Sequence, residues 1–180
     1  MGSTRVRRLT VSDMPAYHQP LVALLQDAVH SGASVGYLPP LTDAEAASYW
    51  ETVLAGVRDG SRILLVAEHD GRFAGTVQLV LESRPNGNHR AEVSKLLVHS
   101  TLRRNGVGRA LMHALEAQAL AVGRTTLILD TRLGDPSERL YASLGYVKAG
   151  VVPAYVRNAE GEFEATVFYY KILVHRKALR

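Results

Sequence analysis

The stretch Val93-Ser-Lys-Leu-Leu-Val-His-Ser-Thr-Leu-Arg-Arg-Asn-Gly-Val-Gly-Arg-Ala-Leu-Met112 decides the fold. It opens as the end of a strand. It closes as the start of a helix, because Val107, Leu111, Leu115 and Ala119 recur every four residues. Between the two lies a turn of Arg103, Arg104, Asn105, Gly106, Val107 and Gly108, followed by Arg109. The first N–H groups of a helix lack intrahelical partners and carry the positive end of the helix dipole, so they form a ready anion site. Gly106 and Gly108 let a phosphate approach without meeting a Cβ. No Gly-Lys-Ser/Thr follows, so this is not a Walker loop, and the glycine spacing of a dinucleotide-binding fingerprint is missing.

Upstream, Arg90 to Val98 reads as a central strand, reached through the turn Arg84-Pro-Asn-Gly-Asn. Asp70-Gly71 signals a hairpin between strands at Arg62–His69 and Phe73–Leu81. Before it, Thr4 to Leu9 is a short strand, and Thr10 with Asp13 marks a helix start. The stripe Leu21, Leu24, Leu25 and Ala28 carries that helix to about His30. Thr42 and Glu45 form a capping box for a second helix, which fades near Asp59-Gly60. Downstream, Gly123 ends the central helix and Thr125 to Asp130 is a short buried strand. Asp135, Pro136 and Glu138 suit the N-cap, first and third positions of another helix. Tyr146 to Val156 and Phe163 to Leu173 pair around Asn158-Ala-Glu-Gly. This order predicts an α/β (mixed α+β) fold: a central, twisted, mixed β-sheet of about seven strands with helices on both faces.

The chain has 180 residues and no internal linker or repeat, so one domain over 1–180 is expected. It is 47% hydrophobic and 21% charged, which suits a packed core. No apolar run is long enough to span a bilayer, and the first residues lack the apolar stretch of a secretory signal, so a cytoplasmic protein is expected. There is no cysteine, which excludes disulfides and thiol nucleophiles. The seven histidines show no zinc-ligand spacing, and no metal is expected. The net charge of +4 raises the question of nucleic acid. Arg5, Arg7, Arg8, Arg176, Lys177 and Arg180 crowd the ends without an acidic neighbour, and 174–180 reads as a frayed basic tail. Within the body the basic cluster is Arg103, Arg104 and Arg109, which points to one small anion and not to a nucleic acid or a membrane.

A second motif, Leu140-Tyr141-Ala-Ser-Leu-Gly-Tyr146, follows one strand and one helix later. The two motifs, in this order and at this distance, resemble the GNAT superfamily of acetyl-coenzyme A dependent N-acetyltransferases. The resemblance covers roughly residues 4 to 173. It implies that the backbone of Leu97 and Val98 holds the pantetheine arm and that the amides from Arg104 to Arg109 hold the pyrophosphate. It also implies that Tyr141 protonates the departing thiolate. Many members carry Asn seven residues before that tyrosine, where this chain has Gly134, so Ser137 is the expected substitute. The segments His30–Tyr37, Arg84-Pro-Asn-Gly and Arg90-Ala-Glu-Val are similar to the tabtoxin-resistance type, whose acceptor is the amine of a small β-lactam amino acid.

Acyl transfer to an amine needs a proton acceptor for that amine. Glu92, just before the cofactor segment, and Asp130, at the end of the next strand, are the candidates. Glu92 also fits a surface carboxylate paired with Arg90, Asp130 also fits a turn residue, and water alone is a third acceptor. Tyr141 also fits a core aromatic. His30, Ser34 and Tyr37, in or beside the loop after the first helix, are candidate acceptor contacts. The expected activity is acetyl transfer from acetyl-CoA to a primary amine of a small, amino-acid-like molecule by direct attack, with toxin or antibiotic resistance as one use. A protein lysine or N-terminus is the alternative acceptor. A CoA-binding sensor and a phosphate-binding or nucleic-acid module are the non-enzymatic alternatives. A monomer or homodimer is expected.

Overall fold

Asp70 and Gly71 take positive φ values of 49° and 75° and fold β2 (Arg62–His69) back onto β3 (Arg72–Leu81). Two left-handed residues in a two-residue loop match the twist of the strands they join. β1 (Thr4–Arg8) pairs with the other side of β2, and β4 (Arg90–Val98) with the other side of β3, all antiparallel. β5 (Thr126–Arg132) lies parallel to β4, and β7 (Phe163–Ile172) and β6 (Val147–Arg157) complete a seven-stranded sheet in the order β1-β2-β3-β4-β5-β7-β6. The computed structural model describes residues 2–173, so the expected basic tail lies outside the described residues.

Helices cover both faces of the sheet. α1 (Met14–His30) and α2 (Asp43–Asp59) pack with Leu64, Val66 and Leu97 on one face. α3 (Val107–Ala121) and α4 (Ser137–Ser143) pack with Ile63, Leu65, Val77, Leu79, Val93 and Leu127 on the other. Adjacent residues of β2 thus enter different cores, which is why its sequence is apolar throughout.

Most expected elements form within a residue or two of their predicted limits. The box of Thr10 and Asp13 exists, but it caps a short 3-10 turn at Val11–Asp13, and α1 follows it. β5 runs past Asp130 to Arg132, because Thr131 and Arg132 still pair with β7. α4 begins at Ser137, later than predicted. Asp135 does not cap it, since its carboxylate pairs with Arg132 at 3.1 Å. Glu138 instead accepts the Gly134 N–H at 2.6 Å and the Tyr169 hydroxyl at 2.6 Å.

β4 contains a bulge that its sequence did not announce. Opposite β3, Gln78 faces Ser94 while Thr76 faces Leu97, so β4 carries one extra residue there. Lys95 absorbs the difference with φ 50°, a conformation that lysine rarely adopts. The alternation inverts as a result: Ala91 and Val93 face the α3 side before the bulge, and Leu96 and Val98 face it afterwards. Gly75 accommodates this shift. A Cβ there would sit 2.5 Å from the Leu97 carbonyl oxygen and 3.3 Å from Leu111 Cδ1. Gly75→Ala should therefore destabilise the protein by about 1–3 kcal/mol through overpacking, measurable by equilibrium denaturation.

Candidate active site

The cleft begins where β4 and β5 part. The two strands pair only at Arg90–Thr126, Ala91–Leu127 and Glu92–Ile128. Beyond Glu92, β4 bulges and ends on the turn to α3, while β5 continues along β7. The backbone groups pointing into the gap have no neighbouring strand, so they await another polar partner. The gap opens into a cavity of about 900 Å³ lined by Glu92 to Val98, Asp130 to Arg132, the start of α3 and Tyr141.

At the end of β4 the chain turns through Arg104 (φ 66°) and Gly106 (φ 79°), the latter capping α3. Ala110 is the first residue whose N–H bonds back into the helix, to the Gly106 carbonyl at 3.0 Å. The amides of Val107, Gly108 and Arg109 are thus left at the mouth of the cleft, which all three residues line. Gly106 is needed for its positive φ. Gly108 lines the cleft, and a Cβ there would also lie 3.3 Å from Leu140 Cδ2, so its smallness leaves room for that side chain. Arg103 donates to the Ser31 hydroxyl at 2.7 Å and Arg109 to the Ser143 hydroxyl at 2.9 Å. Arg103, Arg104 and Arg109 all line the cleft, but Asn105 does not, since its amide turns back to the Leu102 carbonyl at 3.4 Å. A left-handed glycine turn, three free amides and three guanidiniums fit a diphosphate well.

Leu97 and Val98 line the gap beside this turn, and the Val98 carbonyl accepts from Arg103 Nε at 3.4 Å. Ser137 lines it from α4 and shares a hydrogen bond with Thr131 at 2.8 Å. Gly134 forms a left-handed turn outside the lining, at φ 90°. Tyr141 serves the core and the cleft together. It is 6% exposed and its ring packs 5.9 Å from that of Tyr146, yet it also borders the cavity. Burial, with the Asp130 and Asp135 carboxylates nearby, holds its phenol protonated to well above its usual range.

Glu92 and Asp130 both reach the cleft. Glu92 is level with Ile128, so Asp130, two residues on, shares its face, the side covered by α1 and α2. Asp130 is a mid-strand residue and not part of a turn. Withdrawal from water raises its carboxyl above the ordinary range, and Lys95 opposes the rise.

The loop after α1 closes this end of the cleft, with Arg103 bonded to Ser31 and Arg132 donating to the Gly32 carbonyl at 3.2 Å. Of the three residues expected here, Ser34 lines the cavity and the other two do not. His30 Nε2 instead accepts the Leu41 N–H at 3.3 Å and fixes the far end of the loop. Tyr37 packs edge-on to Tyr49 at 5.9 Å, in a separate hollow beside α2. Sequence reading missed Lys95 and Arg132, which line the cleft together with Tyr155. Tyr155 follows Ala154, whose φ of 53° marks an irregularity in β6, and it packs edge-on to Phe168 at 5.4 Å. A cation next to an apolar strand run was the one available signal for Lys95. Among the described residues, no three metal-ligating side chains converge and no helix is long and apolar enough to cross a membrane.

Comparison with known proteins agrees with this geometry. An uncharacterized N-acetyltransferase from the hisH-hisA intergenic region of Azospirillum brasilense is 36% identical over 108 residues, 59% of this chain. The match spans 62% of that curated relative's length. The crystal structure of a ribosomal-protein-alanine N-acetyltransferase from Brucella melitensis is 28% identical, with a TM-score of 0.77 over 94% of this chain and 99% of that one. A phosphinothricin acetyltransferase from Sinorhizobium meliloti, solved in complex with AcCoA, shares the fold at 20% identity. Its TM-score is 0.77, over 98% of this chain and 92% of that one. The acetyltransferase (GNAT) family model matches residues 24–146, which include the parted strands, the arginine–glycine turn and Tyr141, and the chain belongs to that family.

Proposed function

We propose that the protein is an acetyl-CoA dependent N-acetyltransferase acting on the primary amine of a small, amino-acid-like molecule. The observation that carries this reading is the parting of β4 and β5 directly above the free amides of α3. Acetyl-coenzyme A supplies an acetyl group activated as a thioester. The amides of Val107 to Arg109 and the Arg103, Arg104 and Arg109 guanidiniums hold its diphosphate. The open backbone of Leu97 and Val98 holds its arm, with Ser137 opposite. The loop tied down by Arg103 and Arg132 favours a small acceptor over an extended peptide. The resemblance to the tabtoxin-resistance type supports an acceptor that is amino-acid-like.

Glu92 and Asp130 take the proton from the acceptor amine, directly or through water, so that nitrogen attacks with its lone pair free. The chain has no cysteine to carry the acyl group, which favours direct attack. Tyr141 sits on the opposite side of the chemistry. A good general acid has a pKa near the working pH, and a phenol held well above that range gives up its proton poorly. Its hydroxyl therefore acts chiefly as a hydrogen-bond donor to the sulfur as the carbon–sulfur bond breaks, and the departing thiolate takes its proton from water.

Thiol release from acetyl-CoA with a panel of amines tests the activity. Tyr141→Phe should lower kcat by about a hundredfold while leaving KM for acetyl-CoA and the melting temperature close to wild type. Glu92→Gln and Asp130→Asn should each slow turnover, and the double variant should lose about a further tenfold or more. Unchanged turnover in all three would assign the proton to water. Because Asp130 must be ionised and its pKa is raised, the acid limb of kcat/KM should lie above the ordinary carboxylate range. Asp130→Asn should remove that limb from the pH profile.

A further inference from the structure

Lys95 combines two features that are costly for a lysine. It keeps a left-handed backbone at the β4 bulge, where glycine or asparagine would be less strained. Its side chain is half-buried, and withdrawal from water lowers its pKa. Yet no carboxylate pairs with it among the described residues, whose carboxylates pair with Arg7, Arg90, Arg132, Lys171 and two histidines. Asp130 and Glu92 act on it only from farther away.

Its surroundings are fixed. Nζ lies 5.6 Å from the centre of the Tyr49 ring. The Tyr49 hydroxyl accepts from Gln78 Nε2 at 2.8 Å, and Gln78 Oε1 accepts from Arg62 at 2.5 Å. That ring also packs edge-on against Trp50 at 5.0 Å. The platform beneath the ammonium is thus locked, and Arg62 adds a second positive charge behind it. Gly36 keeps the loop backbone close, with a Cβ there 4.0 Å from Nζ. On its remaining side Lys95 faces the cleft that Glu92 and Asp130 share.

We infer that Lys95 anchors an anionic group of the acceptor, and that its strained placement selects acceptors carrying a carboxylate near the amine. A cation and two carboxylates, separated within one cleft, complement a zwitterion: the acid end meets Lys95 and the amine end meets Glu92 and Asp130. The bulge supplies this cation on the acceptor face without taking up a core position, because it adds a residue to β4. The inference deepens the acetyltransferase reading and rests on its placement of the acceptor.

The test uses matched pairs of probes, L-ornithine with putrescine and L-phenylalanine with phenethylamine, in which only the carboxylate differs. Binding is measured by calorimetry on the full chain loaded with coenzyme A, and thiol release is followed separately with acetyl-CoA. In at least one pair the acid should bind about tenfold more tightly than its decarboxylated partner, the size of one well-placed charge contact. That ratio should fall to near one in Lys95→Met and recover in Lys95→Arg. No preference for the acid in either wild-type pair, or a preference that survives in Lys95→Met, overturns the inference. An equal loss of kcat for both members in Lys95→Met, with the binding ratio intact, also overturns it and makes Lys95 a proton acceptor. Absence of thiol release with every amine would overturn the acetyltransferase reading instead, while the binding ratio would still decide the role of Lys95.

Discussion

Two parallel strands that separate after three pairs leave a row of backbone polar groups without a neighbour, and the site is arranged around that row. The gap between β4 and β5 cannot close, because the bulge at Lys95 sends β4 away from the line that β5 keeps with β7. Unpaired backbone donors and acceptors in a cleft need a partner, and an extended amide-bearing chain is a good one. α3 then places three further amides at the mouth of the same gap. Strand edge and helix end present the same kind of group, so one linear ligand can satisfy both.

The bulge also decides what faces what. One extra residue inverts the alternation of β4, so Leu97 joins the α1 and α2 core although Val93, four residues earlier, lies in the α3 core. Without that inversion, positions an even number of residues apart would share a core. Gly75 is the matching concession on β3, since the Leu97 carbonyl occupies the space a side chain would need. Lys95, Gly75 and the open strand edge are thus consequences of a single insertion.

Much of this was legible in the sequence. The hairpin at Asp70-Gly71, the box of Thr42 and Glu45, and the apolar spacing of α3 are local signals, and each element formed as read. The turn from Arg103 to Arg109 was legible too, because two glycines among three arginines at a helix start bring free amides and positive charge to one point. The bulge was not. Val93-Ser-Lys-Leu-Leu-Val breaks strict alternation, but a strand buried on both faces breaks it as well. At the acceptor end Ser34 reaches the cavity while His30 and Tyr37 do not, for a related reason. His30 and Tyr37 stand beside the loop in sequence, yet the direction of each was set by distant partners, Leu41 and Tyr49. Lys95 had only its place beside an apolar run to mark it, because its surroundings are set by tertiary contacts.

The sheet order has a mechanical side. β1 to β4 form one antiparallel plate and β5 to β7 another, welded along the sheet by only three residue pairs. The shortest ladder of the sheet therefore borders the cleft, and the two plates are joined beneath it by side chains: Val93 of one and Leu127, Leu129 and Val167 of the other meet in a single core under α3.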